Sequence, residues 1–221
     1  MLKYKCLVLD HDDTVVQTER TIGYPYFRDY IEKIRPGQTL SFPEYVRDCN
    51  NMVFADMCRE RWNMTEEELS NEYLGWKAYS RVNVPEVCYG IGRVIQRQKE
   101  LGGLVCVSSL STREIIERDF LHHFGILPDA IYDYDLPVDK RKPAAYSLLD
   151  IMEHFGLKPA EMLMVDDMKL GCMMAKAVGV TTAFAGWSKA DFPELTEEMR
   201  TICNFSFDSP AELERFLFRS R

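Results

Sequence analysis

The sequence predicts an α/β protein in which a doubly wound, mostly parallel β-sheet is interrupted after its first strand by an all-helical subdomain. Short, continuous apolar runs such as residues 104–107 and 162–165 are typical of strands that are buried on both faces. After about residue 85 these runs alternate with helical segments, which predicts parallel strands joined by crossover helices. Between residues 18 and 84 the apolar residues recur only at helical spacing.

Length, charge and cysteine usage limit the classes of function. The 221 residues suffice for one large domain, or for one domain that carries a smaller insert. The net charge of −8 argues against nucleic acid and anionic membranes as main partners, because both bind basic surfaces. The seven cysteines have no metal-binding spacing, and no apolar run approaches the length of a membrane span. We therefore expect a cytoplasmic protein with reduced thiols and no membrane partner.

The first predicted strand, residues 5–9, runs directly into three carboxylates, Asp10, Asp12 and Asp13. Ligands of open parallel sheets bind at the carboxyl ends of the strands. Crowded carboxylates repel one another unless a cation or a shared proton intervenes. This stretch therefore indicates a metal site with a catalytic carboxylate. His11 lies between these acids; its side chain should point away from Asp10, and we interpret it as a structural histidine.

The predicted helical subdomain comprises residues 18–84, and the predicted α/β core comprises residues 1–17 and 85–221. Within the insert, Thr65 and Glu68 have the spacing of a capping box, which marks the start of a helix. An alternative is that these helices belong to the main core. A separate subdomain is favoured because strand patterns resume only after about residue 103 and helical periodicity fills the gap.

The remaining elements follow in regular alternation. Glycines close several of the helices, as expected for residues that adopt a left-handed conformation at a helix end. Proline opens the helix predicted at residue 143. The predicted elements are a helix at 91–99, a strand at 104–107, a helix at 113–124, a strand at 130–133, a helix at 143–155, a strand at 162–165, a helix at 170–178, strands at 181–185 and 204–207, and a last helix from Ser209.

Polar residues stand at or just after the ends of several of these strands. Because the carboxyl ends of parallel strands lie on one edge of the sheet, these side chains can converge. Their chemistry suits phosphoryl transfer from a monoester: one carboxylate attacks, a second moves protons, oxygen ligands hold Mg²⁺, and a hydroxyl and a lysine hold the phosphate. The converging residues are Asp10, Asp12, Ser108, Ser109, Lys142, Asp166 and Asp167.

These motifs, in this order along nearly the whole chain, resemble those of the haloacid dehalogenase-like hydrolase superfamily. The similarity is to the subgroup that contains phosphoglycolate phosphatases and β-phosphoglucomutase, and it is weakest in the helical insert. Each motif alone is weak, whereas all four in order are specific. They are Asp10-x-Asp12-x-Thr14, the apolar run 104–108 ending in Ser, Lys142-Pro143, and Val165-Asp166-Asp167 with Gly171.

The resemblance implies a Rossmann-like core and assigns a role to each motif. Asp10 would be the nucleophile that forms an aspartyl-phosphate, and Asp12 the general acid and then the base. Ser108 and Lys142 would bind phosphate, and Ser109 is expected to add its main-chain N–H. The insert would be a cap that closes over the substrate. The implied Mg²⁺ ligands are the Asp10 carboxylate, the Asp12 main-chain carbonyl, Asp167 and, directly or through water, Asp166.

Two positions depart from the pattern of the superfamily. Asp13 stands where glycine is common. It could be the N-cap of a helix that leads into the insert or an added charge near the site, and we favour the N-cap because aspartate is a favoured N-cap residue. His11 stands where an apolar residue is usual.

The function that we expect is a Mg²⁺-dependent phosphatase acting on a small phosphorylated metabolite. A phosphomutase, which shares the chemistry, is the close alternative. A receiver-type domain that accepts a phosphoryl group on aspartate fits less well, because such domains pair their acids on the first strand and lack a cap-sized insert. An inactive relative used for binding is disfavoured by the intact catalytic residues. The sequence predicts neither the substrate nor the oligomeric state.

Overall fold

The computed structural model describes residues 2–218, and its central element is a six-stranded, wholly parallel sheet in the order β3-β2-β1-β4-β5-β6. This arrangement confirms the predicted fold class. The strands are β1 (Cys6–Leu9), β2 (Leu104–Ser108), β3 (Ala130–Tyr132), β4 (Met162–Asp166), β5 (Thr181–Ala185) and β6 (Phe205–Phe207).

The strand β1 lies in the middle of the sheet, where the direction of strand addition reverses. Leu9 pairs with Val107 of β2 on one side and with Val165 of β4 on the other. Leu9, Val107 and Val165 therefore form one row across three strands. The residues that follow them lie side by side at the carboxyl edge of the sheet. Ligands bind at such a switch point, at the carboxyl ends of the strands.

The first helices after β1 form a compact unit of their own, residues 18–86. Phe27 lies at its centre, with ring centroids 5.4, 5.2 and 5.3 Å from those of Tyr45, Phe54 and Trp62. The predicted capping box is present, since the N–H of Thr65 donates to the carboxylate of Glu68. A π-helical turn, Glu19–Gly23, precedes α1 (Tyr24–Ile34), α2 (Phe42–Asn51), α3 (Phe54–Trp62) and α4 (Glu66–Val82).

The other unit, residues 1–17 and 87–221, contains the sheet and helices on both of its faces. Leu7 and Leu9 of β1 pack in a cluster with residues of α5, α6 and α10, whereas Cys6 and Val8 pack with residues of α7 and α8. This alternation along one strand is the doubly wound arrangement. The helices are α5 (Ile91–Glu100), α6 (Arg113–Phe124), α7 (Tyr146–Phe155), α8 (Lys169–Ala177), α9 (Pro193–Ile202) and α10 (Pro210–Phe218).

One predicted helix boundary is wrong. The helix expected to open with Pro143 begins three residues later, at Tyr146, and the residues before it form turns. Among the described residues, no helix has both the length and the apolar character needed to cross a membrane.

Candidate active site

The candidate active site is built on the row of residues that follows the central strands. The main-chain N–H of Asp10 donates to the carbonyl of Val165 at 2.9 Å, which continues the pairing of β1 with β4 by one residue. Asp10 therefore stands beside Asp166, the last residue of β4, and both are buried. Ser108, the last residue of β2, lies at the same level on the other side of β1.

Three buried carboxylates form a cluster at this edge. Asp10, Asp166 and Asp167 each offer one oxygen, and these oxygens all lie within 4.8 Å of one another. The Oδ1 atom of Asp167 is buried and has no hydrogen-bond partner among the described residues. An orphaned carboxylate oxygen in a cluster of hard oxygen donors fits a divalent cation such as Mg²⁺. The residues present therefore suit the metal that the sequence implies.

The start of α8 holds Asp166 in place. The main-chain N–H of Met168 donates to Asp166 Oδ1 at 2.8 Å. A Cβ atom on Gly171 would overlap the other carboxylate oxygen, Asp166 Oδ2. The glycine of this motif therefore has a packing reason: it lets the first turn of α8 approach the carboxylate.

Lys142 reaches this cluster from the segment before α7. Its Nζ atom lies 2.8 Å from Asp10 Oδ1 and 2.5 Å from Asp166 Oδ2, and the side chain is buried. Burial would lower the pKa of Lys142, but the two carboxylates outweigh it and raise the pKa. The ammonium form is therefore favoured, and it links the acids of the first and fourth motifs.

The acids themselves are shifted towards the protonated form. Burial raises the pKa of Asp10 to about 6; Lys142 opposes this shift, and Asp166 and Asp12 add to it. Burial also raises the pKa of Asp167 to about 7 and that of Asp166 above its usual value. In the absence of a cation, then, these carboxyls resist ionisation, and a bound divalent ion would relieve their mutual repulsion.

The two serines at the end of β2 have different contacts. The hydroxyl of Ser108 is buried and lies 2.9 Å from that of Ser147. The main-chain N–H of Ser109, which was expected to face phosphate, instead donates to the carbonyl of Tyr132 at 2.9 Å. The Ser109 hydroxyl accepts the N–H of Ser111 at 3.1 Å. Ser108 thus stays in the row beside Asp10, whereas Ser109 stabilises the loop.

Asp12 lies outside the buried cluster, and its side chain is 24% exposed. A carboxyl group that exchanges protons with a substrate needs such access, whereas the implied metal contact of Asp12 would use its main-chain carbonyl. The bridge between Asp12 and Val16 closes the turn after β1. His11, beside it in the chain, is wholly buried.

The interpretation of Asp13 as a helix N-cap is wrong. No helix begins there; the next helical turn starts at Glu19. Asp13 adopts a left-handed conformation with φ of 55°, which explains why glycine is suited to this position. Its carboxylate faces the buried ammonium group of Lys189 at 3.2 Å, and that group lies 2.6 Å from Asp167 Oδ2. Asp13 is therefore part of a buried ion-pair network.

Lys189 is the site residue that sequence reasoning missed. It follows β5, in a loop that also bonds to the turn after β1: Trp187 Nε1 donates to the carbonyl of Thr14 at 3.2 Å, and the Ser188 hydroxyl donates to the carbonyl of Asp13. The sequence did contain a signal for Lys189: a lysine shortly after a fifth parallel strand lies at the same edge of the sheet as the other motifs.

A profile of the family described as haloacid dehalogenase-like hydrolase matches residues 7–185. No curated protein matches the chain.

Several solved structures are similar along nearly the whole chain. CbbY from Rhodobacter sphaeroides, solved with xylulose-1,5-bisphosphate, is 16% identical and has a TM-score of 0.76, covering 95% of this chain and 96% of that one. A predicted phosphoglycolate phosphatase from Haemophilus somnus is 18% identical with a TM-score of 0.73, covering 98% and 99%. A predicted phosphatase from Clostridium acetobutylicum is 16% identical with a TM-score of 0.75, covering 96% and 97%. At these identities the likeness concerns the fold.

Proposed function

Because the chain belongs to the haloacid dehalogenase-like hydrolase family, we propose that it is a Mg²⁺-dependent phosphatase that hydrolyses a small phosphorylated metabolite. The observation that carries this proposal is the buried cluster of Asp10, Asp166 and Asp167 with the Lys142 ammonium between two of its members. Family membership also sets aside the receiver-type alternative.

In the first half-reaction Asp10 is the nucleophile. One of its carboxylate oxygens forms a bond to phosphorus while the bond from phosphorus to the ester oxygen breaks, and the ester oxygen takes a proton from Asp12 and leaves as an alcohol. Lys142 favours the ionised form of Asp10 for this attack and, with the Ser108 hydroxyl, binds the phosphate oxygens.

In the second half-reaction Asp12 acts as the base. A water molecule gives a proton to Asp12 and its oxygen bonds to the phosphorus of the aspartyl-phosphate, while the bond from phosphorus to Asp10 breaks and frees the carboxylate. Asp10, the Asp12 carbonyl, Asp167 and Asp166 would hold Mg²⁺. When bound, this ion supplies positive charge that offsets the repulsion between the phosphate and the carboxylates.

The helical unit is proposed to be the cap, within the predicted bounds 18–84. In this scheme it excludes water from the aspartyl-phosphate and selects the substrate. The substrate class is a small phosphorylated metabolite, and phosphorylated sugars are a suitable first choice, since CbbY was solved with a sugar bisphosphate.

The test is a panel of phosphorylated metabolites assayed for free phosphate with Mg²⁺ present. We expect turnover of at least one compound by the wild type and none by Asp10→Asn. The matched control is Asp139→Asn, which makes the same change at an exposed loop acid and should leave turnover unchanged. Wild-type inactivity on the whole panel, or an active Asp10→Asn variant, would contradict the proposal.

The phosphomutase alternative is separated by the same assay. A mutase would convert a sugar phosphate into its positional isomer with little release of phosphate, because the phosphoryl group returns from Asp10 to the substrate. The phosphatase proposal therefore requires that released phosphate match the substrate consumed.

A further inference from the structure

His11 connects the partly exposed Asp12 to a buried acid of α6. Its ring is wholly buried, and its Nδ1 atom lies 3.4 Å from Asp12 Oδ1. On the other side of the ring, Nε2 lies 3.3 Å from Oδ2 of Asp119, a residue of α6 that is itself fully buried. Asp119 in turn is held by Arg118, with a guanidinium nitrogen 2.7 Å from its Oδ1 atom. The four side chains form a continuous chain from α6 to the turn after β1.

Each ring nitrogen lies within ion-pair distance of a carboxylate oxygen, which can only accept, although neither contact has the geometry of a hydrogen bond. The His11 ring is therefore held between two acids, with Asp12 on its Nδ1 side and Asp119 on its Nε2 side.

We propose that His11 is a positioning residue for Asp12, and that Asp119 fixes the ring from behind. This inference rests on the proposed function, in which Asp12 protonates the leaving group. The Asp12 Oδ1 atom is buried against the ring, although the side chain is 24% exposed. In this proposal the contact with His11 at Oδ1 sets the orientation of the Asp12 carboxylate, and Oδ2 is the oxygen that exchanges the proton with the ester oxygen and later with water.

Two substitutions separate this role from a structural one. The amide nitrogen of Asn can take the place of the imidazole Nδ1, so His11→Asn keeps a donor towards Asp12. The amide nitrogen of Gln can take the place of Nε2, so His11→Gln keeps a donor towards Asp119 and loses the one towards Asp12. Both replacements are polar and uncharged. Only the positioning role predicts that Asn retains activity that Gln loses.

The experiment compares kcat/KM for p-nitrophenyl phosphate and phenyl phosphate, with Mg²⁺ and at one pH. These esters have similar shapes, but p-nitrophenolate leaves without a proton whereas the phenol oxygen needs one. The ratio kcat/KM includes steps only up to the departure of the leaving group, so later hydrolysis does not enter. General acid catalysis typically contributes a factor of about 10²–10⁴.

We expect His11→Gln to lower kcat/KM for phenyl phosphate about 10- to 100-fold, a part of that general-acid factor, and for p-nitrophenyl phosphate less than about 3-fold. His11→Asn should stay within about 3-fold of the wild type on both esters. The control is His122→Gln, the same change at an exposed histidine of α6, which should alter neither value. Thermal melting of each variant reports its folding.

An equal loss on both esters in His11→Gln, or equal activities of the Asn and Gln variants, would overturn the proposal and leave His11 with a structural role. If His11→Gln does not fold, Asp119→Asn carries the test, since it weakens the support of the ring without touching Asp12. A selective loss on phenyl phosphate then supports the inference, and an unselective effect overturns it. Failure of the phosphatase proposal is distinguishable, because there the wild type hydrolyses neither ester.

Discussion

The substitution Asp10→Asn, at the proposed nucleophile, should stabilise the metal-free protein and abolish its phosphatase activity. Burial and the neighbouring acids raise the pKa of Asp10 from 3.8 to about 6. An acid with a raised folded-state pKa binds its proton more tightly in the folded than in the unfolded chain. The free energy of unfolding therefore falls as the pH rises from about 4 to 6. Above that range it is lowered by the full cost of ionising the buried carboxyl.

The size of the effect follows from the shift. A difference between 3.8 and about 6 corresponds to about 3 kcal/mol at 1.36 kcal/mol per pKa unit. The amide of Asp10→Asn carries no charge and escapes this penalty, and Lys142 keeps its contact with Asp166. At pH 7.5 the variant should therefore be more stable by up to about 3 kcal/mol, or about 6–12 °C in Tm for a chain of this size. At pH 4 the gain should vanish.

The assay is thermal and urea unfolding of EDTA-treated protein at pH 4 and pH 7.5, beside phosphate release with Mg²⁺. The exposed control, Asp139→Asn, should change the free energy of unfolding by less than about 0.5 kcal/mol. A less stable Asp10→Asn variant at pH 7.5, or the same gain at both pH values, would refute the reasoning from buried charge.

Three further outcomes are expected. Turnover should stop in EDTA and return with Mg²⁺, since the acid cluster suits a hard cation; activity in the chelator would contradict this. Lys189→Met should lower the free energy of unfolding of the metal-free protein by about 3–5 kcal/mol, because it leaves two buried acids without their ammonium partner. The control in urea unfolding is Lys176→Met, the same change at an exposed lysine. An equal loss of stability in the two variants would argue against the prediction. Burial raises the pKa of Glu72 in α4 from 4.5 to about 8. Glu72→Gln should therefore stabilise the protein by about 5 kcal/mol at pH 9 and not at pH 4. A gain in stability that does not depend on pH in denaturant titrations would be inconsistent with that shift.

The sheet and most of the acid cluster were predictable because they depend on local patterns. Continuous apolar runs marked the strands, and parallel pairing brings their ends to one edge. Strand pairing alone therefore predicts a single row that contains Asp10, Ser108 and Asp166, and no long-range side-chain contact is needed for that prediction. The helix predicted at Pro143 began later, because proline in a turn and proline in a first helical turn have the same local signature.

The partners of buried charges depended on the tertiary structure. Asp13 looked like a helix cap because aspartate is favoured there, but its partner Lys189 lies 176 residues away. His11 was expected to be structural, and nothing near it in the chain indicates that Asp119 of α6 lies on the far side of its ring.

Local sequence patterns were enough to predict the fold class, the order of the motifs and the edge of the sheet where they meet, because periodicity and strand-end chemistry are encoded in neighbouring residues. Only the tertiary structure decided which cation faces which acid. A buried charge must find a partner wherever strand order and helix packing place one, and for Asp13 and His11 those partners come from β5's loop and from α6.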